Sequence, residues 1–216
     1  MENKALVVGK IMKIYEKGMF NDVASVLVLL KPLEVRGKVN YSLVLLPDCE
    51  KTYEYIGKNV YVEGSLKTSY MFNDNEKKYV FVEPSIIEEV DDNYKIPEEG
   101  EFYKDYTRYN RVILEGEIIS DLIYKYIKDR KYGMTRFKLR LLEGSDSVNC
   151  IVWDMVPYKV KKGDRIKIVG SMVVLSKRII NSVDEREENE QTSYLIIVQK
   201  INNLKDPNEI ASTIYK

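Results

Sequence analysis

Basic side chains interleaved with aromatic ones are the groups of this sequence best placed to do chemistry. Between positions 124 and 140 they run Tyr124, Lys125, Tyr126, Lys128, Arg130, Lys131, Tyr132, Arg136, Lys138 and Arg140, and Lys177 and Arg178 follow further on. A row of cations neutralises phosphates, and aromatic faces stack on nucleic-acid bases, each stack contributing roughly 1–3 kcal/mol. Lys138 and Arg140 alternate with Phe137, Leu139 and Leu141, which puts them on the face of a strand that points away from its core. A merely solvated face is the alternative for any one of them. Collectively the bias is one-sided: residues 109–181 hold 15 Lys and Arg against 8 Asp and Glu, in a chain with 34 of each. The flanks are acidic, with 15 against 19 over residues 1–108 and 4 against 7 over 182–216. A neutral chain can therefore still present a local basic surface. In the first half the same residue types, Arg36, Lys38, Lys67, Lys77 and Lys78, are fewer and lie among acids.

The sequence has no histidine, which removes the commonest general base and the commonest metal ligand. It has no phosphate-cradling glycine loop, nucleophile elbow or HExxH pair, and its carboxylates show no metal-binding spacing. The expectation is a protein that is not an enzyme and needs no cofactor. Cys49 and Cys150, about a hundred residues apart in segments that read as strands, are expected to be reduced thiols acting as small core hydrophobes, not zinc ligands. No apolar run reaches the roughly 18 residues of a membrane span, and MENKALVVGK lacks an export signal, so a cytoplasmic protein without membrane association is expected.

The elements that carry these residues are strands. Val, Ile, Leu and Tyr recur in short runs that alternate with charge, and the helical candidates are confined to residues 48–56, 154–161 and the stretch from Pro207 onward. The runs repeat. Leu6–Ile11 is similar to Ile113–Ile118, Gly57–Leu66 to Gly163–Met172, and Tyr79–Val82 to Tyr194–Ile197, in the same order. From Gly9 to Gly64 is 55 residues and from Gly116 to Gly170 is 54, so the copies also place their mid-strand glycines alike. Residues 83–105 carry nine acids against two lysines, with Pro97 and Gly100, and read as a linker. The fold class is all-β: two tandem five-stranded Greek-key OB barrels, each with a short helix between its third and fourth strands. The domains are expected at 1–90 and 109–205, with an acidic linker over 91–108 and an extension over 206–216. The glycines fall where a small barrel bends its first and fourth strands.

The second half resembles the bacterial single-stranded DNA-binding protein family. The residues that carry the resemblance are Asn110–Gly116, Phe137–Leu139, Val148–Trp153 and Val160–Gly170, in that order over about 95 positions. In the first half, Gly57–Ser69 followed by Tyr79–Glu83 is similar to the family's fourth and fifth strands. The resemblance implies that Trp153, the only tryptophan, sits where the family places a base-stacking aromatic; a buried core tryptophan is the competing reading. It implies a similar role for Tyr70 and Phe72, in the loop after the fourth strand, against ordinary packing. Near Ser147 a further family aromatic is missing, and 206–216 lacks the family's acidic aromatic tip, so partner recruitment through that tip is not expected.

Resemblance and residues together lead to the expectation of sequence-independent binding of single-stranded DNA, in replication, recombination or repair. Stacking and phosphate contacts serve RNA equally. Tandem duplication in a family that works with four OB domains leads to an expected homodimer. The alternative is an OB adaptor of the primosome type that grips a protein partner and binds nucleic acid weakly.

Overall fold

The computed structural model describes residues 2–33, 41–70, 78–96, 109–127, 132–142, 146–153, 160–175 and 193–204. In the first repeat these form β1 (Asn3–Phe20), β2 (Val23–Pro32), β3 (Ser42–Pro47), helix α1 (Glu50–Glu54), β4 (Asn59–Tyr70) and β5 (Lys78–Glu89). The second repeat forms β6 (Asn110–Ile118), β7 (Ile123–Ile127), β8 (Tyr132–Leu141), β9 (Ser147–Val152), β10 (Arg165–Leu175) and β11 (Ser193–Asn203).

In the first repeat β1 pairs antiparallel with both β2 and β4, β2 with β3, and β4 with β5, while β3 meets β5 in parallel at Val44 and Val82. That circuit closes a five-stranded Greek-key barrel, the OB topology expected. The second repeat has the same order, β6-β10-β11-β9-β8-β7, with β6 also on β8. It shows six strand segments where five were expected, because the long first strand is interrupted at 119–122. There Ser120 Oγ accepts the Lys138 N–H at 2.8 Å, a position a ladder carbonyl would otherwise take. Since β6 and β7 both pair with β8, they are one interrupted strand of a five-stranded barrel.

Duplication extends to individual hydrogen bonds. The Gly57 N–H donates to Ile11 O and the Ile11 N–H to Lys58 O; in the second copy Gly163 donates to Ile118 O and Ile118 to Asp164 O. Gly57 and Gly163 hold φ of 84° and 93°, a left-handed turn that glycine adopts without strain. The mid-strand glycines serve a different end. A Cβ on Gly9, Gly64, Gly116 or Gly170 would collide with the backbone carbonyl of Lys31, Glu83, Arg140 or Ile197 on the adjoining strand. Each marks a place where two strands of a tightly coiled barrel cross backbone to backbone.

α1 occupies the place of the helix expected over 48–56. Of the other two helical candidates, 154–161 lies outside the described residues up to 159 and is not helical at 160–161, and the stretch from Pro207 onward lies wholly outside them. The expected linker at 83–105 starts later, since β5 continues as a strand to Glu89. Cys150 is buried in β9, and burial pushes its thiol up, but Cys49 is exposed in the turn before α1, where Thr52 hydrogen bonds hold it below the ordinary thiol range. Cys49 is thus neither a strand nor a core residue.

The chain divides into two compact units. One takes Lys4–Val112 together with Ser171–Leu195; the other takes Met1–Asn3, Ile113–Gly170 and Ile196–Lys216. Within the first unit, buried Asn110 clamps Met172 from both sides, its Nδ2 donating to Met172 O at 2.7 Å and its Oδ1 accepting the Met172 N–H at 3.1 Å. The Val174 N–H donates to Tyr41 O at 3.0 Å, and the Tyr79 and Tyr194 rings lie 5.7 Å apart. Among the described residues no helix is long and apolar enough to cross a membrane.

Candidate nucleic-acid interface

β7, β8 and β9 form a three-stranded surface on the second unit. Across β8 and β9 the facing pairs are Arg136 with Ile151, Lys138 with Asn149 and Arg140 with Ser147. On the other side of β8, Ile123 faces Arg136 and Lys125 faces Met134. Residues directly opposite share a face, as do alternate residues along a strand. Arg136, Lys138 and Arg140 therefore project together from one face, while Phe137, Leu139 and Leu141 fill the core behind them. Asn149 lies exposed beside Lys138, and Ile123 is 65% exposed beside Arg136. Trp153, at 45% exposure, comes two residues after Ile151 and just beyond the end of β9. A core tryptophan would be covered, whereas part of this indole's surface faces solvent.

The cations are not equivalent. Arg140 is committed to Glu117 on β6, its cross-strand neighbour, with 2.6 Å between Nη2 and Oε2. Among the described residues Lys125, Arg136 and Lys138 form no ion pair, which leaves three charges for phosphate. Tyr124 and Tyr126 are exposed, but they face Thr135 and Gly133, on the reverse of the ribbon from Lys125 and Arg136. The aromatic and basic side chains that alternate in sequence are thus separated onto two faces.

In the first unit Tyr70 is exposed and pairs across the hairpin with Lys78, whose Nζ lies 5.9 Å from the ring centroid. Lys67 is 3.8 Å from Glu83, which offsets its charge. Phe72, Lys128, Arg130, Lys131, Lys177 and Arg178, with Arg36, Lys38, Lys77 and the side chain of Tyr132, lie outside the described residues. Ile123 and Asn149 were not singled out from sequence. The only signal for them is the strand period, which would have put Asn149 on the outward face with Ser147.

The two repeats differ at this surface. Gly9 faces Pro32 as Gly116 faces Leu141, which aligns Leu29 with Lys138 and Leu27 with Arg136. The β2–β3 register carries the alignment on, from Leu43 to Asn149 and from Leu45 to Ile151. Where the second repeat exposes Arg136, Lys138 and Asn149, the first has Leu27, Leu29 and Leu43, all buried.

Searches of solved structures find this fold. The chain matches the crystal structure of the wild-type single-stranded DNA binding protein from Thermus aquaticus with a TM-score of 0.65 at 15% identity, covering 95% of this chain and 94% of that one. A deletion mutant of the same Thermus protein gives 0.63 at 16% identity, covering 95% and 96%. No protein-family model and no curated protein matches the sequence. Over nearly its whole length, then, this chain of two OB barrels has the fold of a bacterial single-stranded DNA-binding protein.

Proposed function

We propose that this protein binds single-stranded DNA without sequence preference, through the β7–β9 face of its second repeat. The observation that carries the reading is the joint exposure of Trp153, Ile123, Arg136, Lys138 and Asn149 on strands that OB folds use for oligonucleotides. Indole and aliphatic surface serves any base, and cations tracking a backbone serve any sequence. The Thermus protein of the same fold, which is a single-stranded DNA binding protein, supports it. Binding without catalysis is the whole of the proposed activity, in replication, recombination or repair.

The work is divided unequally. The first repeat's corresponding face is buried leucine, so it contributes Tyr70 and its neighbours at the edge and no basic strand surface. The chain is proposed to act as a homodimer, which would bring four OB barrels together; sedimentation of a 25.3 kDa species at micromolar concentration would exclude this.

The test is anisotropy of labelled oligo-dT titrated with the full chain at low salt. Saturable binding that weakens as salt rises is expected. Absence of binding would favour a protein-gripping OB adaptor.

A further inference from the structure

We propose that the reverse of the β7–β8 ribbon is a second stacking platform, occupied by bases of the same single strand beyond those held on the Trp153 face. This rests on the nucleic-acid reading above and adds a path to it: the strand rounds the free edge of β7. Among the described strands β7 pairs only with β8, so that edge is open. Tyr124 and Tyr126 occupy alternate positions on the reverse face and are 41% and 51% exposed. Their rings start about 6.6 Å apart along the strand, which leaves each ring room for its own base.

The residues opposite them matter as much. Gly133 faces Tyr126, so the position directly opposite carries no side chain to cover that ring. A Cβ at Gly133 would also collide with the ring of Tyr124, which occupies the space the glycine leaves. Tyr124 is thereby seated against the ribbon before any ligand arrives, and a preplaced aromatic loses less side-chain freedom on stacking. Thr135 completes the facing pair. None of the four residues is charged, so this face stacks bases without gripping phosphate, whereas the front face does both.

That asymmetry sets the test. Oligo-dT of about 8 and about 30 nucleotides, one within a single OB footprint and one beyond it, is titrated with the wild-type chain, the Tyr124→Ala/Tyr126→Ala double variant and the corresponding double Phe variant. The Ala variant is expected to bind the short oligonucleotide as wild type does and the long one at least roughly 5-fold more weakly. Its salt dependence should be unchanged, and the Phe variant, which keeps the rings, should restore binding. Equal weakening at both lengths would place the tyrosines on the same path as Trp153 and overturn the proposal. So would unchanged binding of the long oligonucleotide, or unchanged DNA binding with a fall in sedimenting mass, which would mean that the rings cover a second copy. If the wild-type chain binds neither length, the underlying nucleic-acid reading fails, and this path with it.

Discussion

Trp153 is 45% exposed and so only partly buried, and its loss is predicted to be felt more in binding than in folding. Trp153→Ala should weaken oligo-dT binding by about 1–3 kcal/mol and leave the thermal midpoint close to wild type. Ligand should quench the fluorescence of the wild-type protein, which has a single tryptophan. A loss of about 3–5 kcal/mol of stability, with fluorescence indifferent to ligand, would show a core residue instead. Trp153 was legible as a candidate because it ends the third of four ordered motifs. Arg140 was legible as exposed but not as paired, since Glu117 is 23 positions away and becomes its neighbour only through the β6–β8 register. The same distinction yields a second prediction. Arg136→Ala and Lys138→Ala should each reduce the slope of log affinity against log salt by about 0.7 if each meets one phosphate of a single strand. Arg140→Ala should change it less, because Glu117 already offsets that charge. Equal slopes for all three variants would show that the ion pair opens on binding.

At the level of strands, the repeated glycines were visible as a pattern, and their bend was the expected cause. The contacts give a sharper one. Gly116 leaves no room for a side chain because Arg140 O and the Leu139 side chain stand where its Cβ would go. Gly116→Ala must push β6 away from β8, and overpacking of that kind is expected to cost about 1–3 kcal/mol, read as a lower urea midpoint with an unchanged slope. Gly57→Ala meets no atom within 4 Å, yet its φ of 84° should cost about 1–2 kcal/mol through strain alone. If Gly116→Ala proved neutral, β6 and β8 could separate freely, and the close crossing would not be a determinant of the barrel. The strand break at 119–122 was not legible, because it depends on the Ser120 hydroxyl replacing a ladder partner. The alternation of β8 was legible, since Arg136, Lys138 and Arg140 each fall between buried residues. So was its contrast with Val26–Leu30, where an unbroken apolar run means a strand buried on both faces.

For the whole molecule, the repeat suggested two consecutive domains joined by an acidic linker, a reading that local sequence similarity favours because it sees strands and not what lies beside them. The compact unit containing Lys4–Val112 also includes Ser171–Leu195, which come from the second repeat. Asn110 holds Met172, Tyr41 holds Val174, and Tyr194 meets Tyr79, all within that unit. Cutting the chain between 95 and 106 would separate this segment from Tyr41 and Tyr79, its partners in the first repeat. Apolar surface returned to water costs about 25 cal/mol per Å², so fragment 1–95 is predicted to lack the cooperative thermal transition of the full chain and to aggregate. Fragment 106–216 would keep the Arg136–Trp153 face and the Asn110–Met172 clamp but lose Tyr41 and Tyr79, the first-repeat partners of Val174 and Tyr194. Circular dichroism melts of the two fragments, separately and mixed, check this: recovery of a cooperative transition only on mixing is the expected result. A cooperative melt of fragment 1–95 alone, at the midpoint of the intact protein, would show that the first repeat is complete without Ser171–Leu195. Its share of DNA affinity could then be measured on the fragment directly instead of through substitutions in the full chain.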